Sequence, residues 1–351
     1  MIKTIAVLPG DGVGPEIIDA TLSVLRAVER KFDHSFTCDR GLIGGVAIDS
    51  VGEPFPKETE ELCMKSDAIL FGAIGDPKYD NDPSLKVRPE QGLLKMRKKL
   101  GLYANIRPIR TFDSLLHKSP LKEERVEGAD FIVIRELIGG IYFGKRGREN
   151  GGRTAFDTSS YSIEEIQRVG NVAFELSQKR NKKVCLVDKA NVLETSRLWR
   201  ETIQELSKNY PDVEVEYMFV DNAAMQIIKN PRAFDVILTE NMFGDILSDE
   251  ASVITGSIGM LPSASIGEKT SLYEPIHGSY PKAAGKNIAN PIGTILSVAM
   301  MLELSFKMLP EAQVIRDAVD TVLSSGLGTR DISLIKPLST SAMGEKIAEN
   351  I

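Results

Sequence analysis

Strand-length apolar runs return along the whole chain, with charged, helix-periodic stretches between them. IAVL, AILFGA, DFIVIREL, KVCLVDK, VEYMFV and FDVILTEN each adjoin such a stretch, and a chain that alternates in this way covers its strands with helices in an α/β layer fold. Helices are expected at Pro15–Lys31, Pro56–Met64, Gly92–Lys99, Ser162–Gln178, Leu193–Asn209, Asp245–Ile254, Ile292–Phe306 and Glu311–Leu323. At 351 residues the chain has room for two domain-sized units. No low-complexity linker or fixed-period repeat separates them, so they are expected to share a boundary. The polar tract GGIYFGKRGRENGGRTAFDT is too long for a plain turn and suggests an arm or clasp.

Composition narrows the partners. The formal net charge is -6, with basic residues interleaved among acidic ones, so no stripe is offered to a nucleic-acid backbone. Cys38, Cys63 and Cys185 are widely spaced and odd in number, which argues against a disulfide framework and for a reducing cytoplasm. The opening MIKTIAVLPG has no secretory-signal pattern, and TILSVAMMLEL is interrupted by Glu303 and too short for a membrane span. With only His34, His117 and His277 available, a Cys/His zinc site is not expected, and any metal would be held by oxygen.

The first run leads into AVLPGDGVGPE. Gly10, Gly12 and Gly14 give G-x-G-x-G followed by Pro15, whereas the dinucleotide fingerprint needs G-x-G-x-x-G. A tight strand-to-helix turn, with Pro15 in the first helical turn, accounts for the motif.

Chemistry concentrates elsewhere. In ENMFGDILSDEAS, Asp245 and Asp249 lie four residues apart, so on a helix their Cβ atoms are about 5–6 Å apart on one face. At an effective dielectric near 20 their repulsion is roughly 3 kcal/mol, enough to raise one pKa by about two units unless a cation intervenes. Magnesium or manganese suits such oxygens. Two solvated acids on an open face would read the same way, although Met242, Phe243, Ile246 and Leu247 around them suggest a wall. Arg97, Arg107 and Arg135 sit near element ends, where they could grip a dicarboxylate bidentately or form surface ion pairs. Arg135 ends the apolar run DFIVIR and needs a partner where it emerges. Lys189, at the end of VCLVD, is placed to move a proton if its neighbours tune it. Tyr142 completes the set.

Taken in order, VLPGDGVGPE, VRPEQGLLKMRKKLGLYANIRP, SPLKEERV, IRELIGGIYFG, VDKANVLETSRLWR, YMFVDNAAMQII, NMFGDILSDEAS, GMLPSASIG, EPIHGS and NIANPIGTILS resemble the isocitrate/isopropylmalate β-decarboxylating dehydrogenases over essentially the whole chain. The resemblance implies a two-lobed α/β fold without a Rossmann domain. Residues 1–102 and 256–351 would form a large cofactor-binding lobe, and 103–255 a small lobe with the dimer interface and arm. It implies a homodimer with shared active sites, in which Lys189 and Asp221 serve the other copy while Asp245 and Asp249 stay in their own. Asp221, Asp245 and Asp249 would ligate Mg2+ or Mn2+, Lys189 would take the hydroxyl proton, and Tyr142 would donate a proton to the enolate carbon. Arg97, Arg107 and Arg135 would hold the malate carboxylates.

By the same resemblance NAD binds mainly to the loop from Glu274 to Asn290. Glu274, His277, Gly278 and Ser279 would lie near the cofactor, Ala289 and Asn290 near adenine, and Asp331 nearby, with Val13 the most that the glycine turn contributes. Glu90, Leu93 and Leu94 in RPEQGLL match the isopropylmalate pattern, in which leucines meet a branched alkyl group. Burying an isopropyl group is worth about 2 kcal/mol, while an unpaired carboxylate against leucines costs more. Without the resemblance the leucines would read as helix core. Tartrate, homoisocitrate or isocitrate are the alternative malate-type acids. Lys282 departs from the aspartate usual in NAD-using relatives, but Ala283 follows where phosphate-binding relatives have tyrosine. NAD is therefore expected over NADP. Glu240 stands where some relatives have glycine, and the sequence assigns it no role.

Overall fold

The computed structural model describes residues 1–80, 85–333 and 335–351. The chain divides into two compact units, Met1–Gly101 with Gly256–Ile351, and Leu102–Thr255. The first segment runs β1 (Ile2–Gly10), α1 (Gly14–Phe32), β2 (Ser35–Arg40), α2 (Gly45–Val51), α3 (Lys57–Lys65), β3 (Ala68–Ala73), α4 (Pro77–Asp80) and α5 (Pro89–Lys99). The middle unit continues with β4 (Ala104–Arg110), α6 (Glu123–Val126), β5 (Asp130–Glu136), β6 (Arg146–Glu149), β7 (Thr154–Asp157) and α7 (Ile163–Gln178). After these come β8 (Lys183–Asp188), α8 (Glu194–Ser207), β9 (Glu214–Phe219), α9 (Val220–Lys229), β10 (Val236–Thr239) and α10 (Asn241–Ser252). The chain returns to the first unit through β11 (Pro262–Ile266), β12 (Leu272–Pro275), α11 (Ile292–Leu304), α12 (Leu309–Ser324) and α13 (Thr340–Glu349).

The first unit's strands lie in the order β2-β1-β3-β12-β11, parallel except for the β11–β12 pair. Every residue of β3 is buried, as expected of a parallel strand covered on both faces. Helix α1 starts with Pro15 in its first turn, buries Ile17, Ile18, Val24, Leu25 and Val28 at helical spacing, and ends at Asp33 in the left-handed conformation. Helix α11 is apolar almost all round and forms part of the core rather than a surface layer. Among the described residues no helix is long and apolar enough to cross a membrane.

The second unit orders its strands β4-β5-β10-β8-β9, with only β4 antiparallel to its neighbour. Its parallel strands end in register, Thr239 opposite Arg135 on one side and Val187 on the other. The residues that follow β5, β8, β9 and β10 therefore emerge along one carboxyl edge, where open α/β sheets carry their sites. Helix α7 begins with a reciprocal cap, the Ser162 hydroxyl accepting from the Glu165 amide and the Glu165 carboxylate from the Ser162 amide. The tract after Tyr142 is a two-stranded antiparallel ribbon, β6 with β7, pairing Arg146 with Asp157 and leaving Phe156 exposed.

The glycine turn is structural. Its Asp11 carboxylate accepts backbone N–H bonds from Gly45, Val46 and Gly75 at 2.9–3.0 Å, so the turn presents a negative side chain whose amide partners are already engaged. Gly12 has a φ of +58°, and a Cβ there would fall 1.9 Å from the Ser279 carbonyl oxygen.

Candidate active site

Helix α10 starts one turn earlier than the apolar pattern predicts, at Asn241 rather than Asp245. The reason is its cap: the Glu240 carboxylate accepts from the Phe243 amide at 2.9 Å, a role that sequence rules give to Ser, Thr, Asp or Asn. Asp245 and Asp249 both lie within the helix, one turn apart, as their spacing requires. The surrounding wall is only partial, because Phe243 and Leu247 are buried but Ile246 is exposed.

The repulsion expected between the two acids is met by guanidinium groups. Arg135 donates through Nη1 to Asp245 and through Nε and Nη2 to the Asn241 side-chain oxygen, at 3.0 and 2.7 Å for the latter pair. Arg107 donates to Ser248 Oγ at 2.6 Å and to Asp249 at 3.3 Å, with Asn105 holding its Nε at 2.7 Å. Two of the three candidate arginines thus meet at the acidic pair. The third, Arg97, lies in the other unit, beside Glu274 at 3.4 Å, with its buried Nε unpaired.

Tyr142 Oη donates to Asp245 Oδ2 at 2.8 Å. Burial, reinforced by that carboxylate, pushes its pKa up to about 12, so the phenol is protonated at neutral pH and able to donate. Lys189, immediately after β8, pairs with Asp221 in the first turn of α9. The lysine lowers the Asp221 pKa chiefly through that hydrogen bond. Among the described residues no three Asp, Glu, His or Cys side chains lie close enough to share one metal ion. Asp245 and Asp249, one helical turn apart, are hard-oxygen donors of the kind that suits a magnesium or manganese ion.

In the first unit the candidate cofactor residues fall into two groups. Val13 packs with Ile17, Ala283 and Ala289 in a small buried cluster, and its amide donates to the Ser279 carbonyl at 2.8 Å. Asp331 accepts from Asn290 Nδ2 at 3.0 Å, from Thr329 at 2.6 Å and from Ser257. His277 keeps a buried, unpartnered Nε2, and its burial holds the imidazole pKa below the usual value. A Cβ at Gly278 would meet open space. An orphaned buried nitrogen beside an open backbone fits a polar cofactor. Lys282 is exposed. On α5, Leu93 and Leu94 are half-buried and Glu90 is exposed, while Gly92 and Met96 take the core positions, so the leucines are not helix core.

Sequence reasoning passed over the neutral side chains that hold these groups, Asn105, Asn241 and Ser248, the buried Glu136 and Tyr161, and the half-buried Glu240. A cavity of about 300 Å³ is lined by Trp199, Met242, Phe243, Leu193 and Glu240, among others, but not by Tyr142, Lys189 or Asp245.

The family model for isocitrate/isopropylmalate dehydrogenase matches residues 4–347. The chain is 57% identical over 330 residues to a 3-isopropylmalate dehydrogenase of Bacteroides fragilis, covering 94% of this chain and 93% of the relative. It is 55% identical over 349 residues to the 3-isopropylmalate dehydrogenase of Clostridium acetobutylicum, covering 98% of each. Among solved structures, isocitrate dehydrogenase from Methylococcus capsulatus superposes with a TM-score of 0.88 at 32% identity over 99% of each chain. A β-decarboxylating dehydrogenase from Thermococcus kodakarensis gives 0.82 at 35% identity over 99% of this chain and 96% of that one. The chain belongs to the isocitrate/isopropylmalate dehydrogenase family. It is a decarboxylating dehydrogenase of the α/β, non-Rossmann type.

Proposed function

We propose that the chain oxidises (2R,3S)-3-isopropylmalate at C2 with NAD and decarboxylates the resulting β-keto acid to 4-methyl-2-oxopentanoate, a step of leucine biosynthesis. The Tyr142 hydroxyl bound to Asp245 carries this reading, because it puts a protonated donor beside the acidic pair. The names of the two relatives from Bacteroides fragilis and Clostridium acetobutylicum favour the substrate. When bound, NAD supplies the hydride acceptor, and Mg2+ or Mn2+, ligated by Asp245 and Asp249 with Asp221 of a second copy, supplies the Lewis acid.

The residues of the chain do the rest. Arg97, Arg107 and Arg135 hold the malate carboxylates, with Asp221 beside them, and so fix C2 for hydride loss. Lys189, directly or through water, takes the C2 hydroxyl proton as the C–H electron pair leaves. Loss of CO2 from C3 leaves an enolate, and Tyr142 returns a proton to C3. Leu93 and Leu94, flanked by Glu90, bury the isopropyl group. Glu274, His277, Gly278, Ser279, Lys282, Ala289, Asn290 and Asp331, with Val13, line the cofactor. Lys282 keeps NADP open, whereas the buried Ala283 lacks the second phosphate partner. In this reading residues 1–102 and 256–351 carry the cofactor, and 103–255 carry the arm and the contacts of a cytoplasmic homodimer.

The test is a substrate panel with both nicotinamide cofactors, with and without a chelator. Fastest reduction of NAD with isopropylmalate, lost on chelation, is expected. Preference for isocitrate or tartrate refutes the substrate, and preference for NADP refutes the cofactor.

A further inference from the structure

The buried Tyr161 and Asn241 and the half-buried Glu240 tie the turn that carries Tyr142 to the start of α10. Tyr161 Oη donates to Glu240 Oε2 at 3.0 Å and accepts from the Asn241 amide at 3.0 Å. The other Glu240 oxygen caps the helix at Phe243. The Asn241 side chain in turn donates to the Gly139 carbonyl at 3.0 Å and accepts from Arg135. The ring of Tyr161 packs against the turn itself: a Cβ at Gly139 would lie 2.7 Å from Tyr161 Cε1, and one at Gly140, where φ is +71°, would lie 2.2 Å from Tyr161 Oη. Trp199 closes the far side, edge to face with Tyr161 at 5.4 Å.

One phenol therefore fixes both sides of the Tyr142–Asp245 hydrogen bond. Its ring sets the backbone three residues before Tyr142, and its hydroxyl sets the first turn of the helix bearing Asp245. Glu240 fixes the direction of that hydroxyl. As a carboxylate it only accepts, so Tyr161 must donate to it and keep a lone pair for the Asn241 amide.

We infer that Tyr161, oriented by Glu240, is a positioning residue for decarboxylation, holding the Tyr142 hydroxyl in register with Asp245 without touching substrate. This rests on Tyr142 as the proton donor to C3. A buried hydrogen-bond network whose members are all satisfied has one low-energy arrangement, and a donor displaced by a fraction of an ångström loses rate rather than binding.

A double-mutant cycle separates this role from a merely structural one. Tyr161→Phe keeps the ring against Gly139 and Gly140 but removes the hydroxyl. It is expected to lower the single-turnover rate of product formation about tenfold with KM changed less than about twofold. In a Tyr142→Phe background the same substitution is expected to cost less than about twofold. Glu240→Ala should reproduce the Tyr161→Phe loss, and Glu240→Gln, which can still cap Phe243, should recover part of it. Equal losses in both backgrounds, or no loss in the wild-type background, overturn the inference. Should Tyr142→Phe alone leave the rate intact, the assignment of Tyr142 as donor is what has failed, and the inference falls with it.

Discussion

Asp245 and Asp221 are both carboxylates that hold a cation in this fold, yet they are built in opposite ways. Asp245 is 36% exposed and bonded to Arg135, which is itself 3% exposed, locked by Asn241 and stacked near the Tyr142 ring. Asp221 is 63% exposed and, among the described residues, its carboxylate pairs with the Lys189 ammonium across two element ends. A buried guanidinium fork costs a great deal to leave unpaired, so the first arrangement is part of the fold. An exposed ammonium–carboxylate pair adds little to stability and exchanges partners readily, so the second is available for another task. Substitution on the Asp221 side should accordingly cost function while sparing conformational stability, whereas substitution on the Asp245 side should cost both.

The largest effect expected is on the exposed side. Lys189→Ala should lower kcat by about 10³-fold, the usual contribution of a general base, while the thermal unfolding midpoint moves within about 1 °C, as for surface changes. A matching loss of stability would erase the distinction between the two carboxylates.

On the buried side, pH probes the fold directly. Glu136, the neighbour of Arg135, is fully buried and accepts from the Ile138 and Gly139 amides at 2.9 and 2.8 Å. Burial raises its pKa from 4.5 to about 7, with Glu165 adding repulsion. A carboxyl whose folded pKa lies above its unfolded one contributes stability that is complete below pH 4.5 and is lost as pH rises through about 7. The loss should approach about 3 kcal/mol, visible as a urea midpoint that falls between pH 5 and pH 8. Glu136→Gln should flatten that difference.

Arg135→Ala comes next. It leaves the Asn241 oxygen and Asp245 without their guanidinium and should destabilise the protein by about 2 kcal/mol, measurable by urea unfolding at pH 7. Arg135→Lys, with no fork to span both partners, should recover only part of this.

Legibility in the sequence follows the same division. Strands such as AILFGA and KVCLVD announce themselves because burial on both faces demands an unbroken apolar run, and α7 declares its start through Ser162 and Glu165. By contrast SFTCDR, ANIRPIR, PSASI and LYEP form β2, β4, β11 and β12 despite polar or proline positions, since edge placement and neighbouring strands override weak local preference. Helix α9 follows β9 with no intervening break, so VEYMFV hides its first residue. In the site, Asp245 and Asp249 were legible because helical spacing alone brings them together. Asn241 and Ser248 were not: their arginine partners lie 106 and 141 residues away, and an asparagine or serine in a helix carries no mark of the charge it will meet. Glu240 is the nearest miss, a carboxylate at the residue before the helix, where its favourable interaction with the N-terminal dipole could have been read.

Co-expression tests whether the exposed pair serves a second copy, and it has the smallest expected signal. Lys189→Ala and Asp245→Asn should each be inactive alone, because one removes the base and the other a metal carboxylate. If Lys189 and Asp221 act in the site of another copy, a mixed dimer places both lesions in one site and leaves the other wild type. With random pairing half the dimers are mixed and half of their sites are intact, so about a quarter of wild-type activity should return. If instead Lys189 acts beside Asp245 of its own chain, every site in every dimer carries one lesion and no activity returns. Differently tagged copies, purified through both tags, would raise the expected recovery to about a half and remove the parental dimers from the measurement.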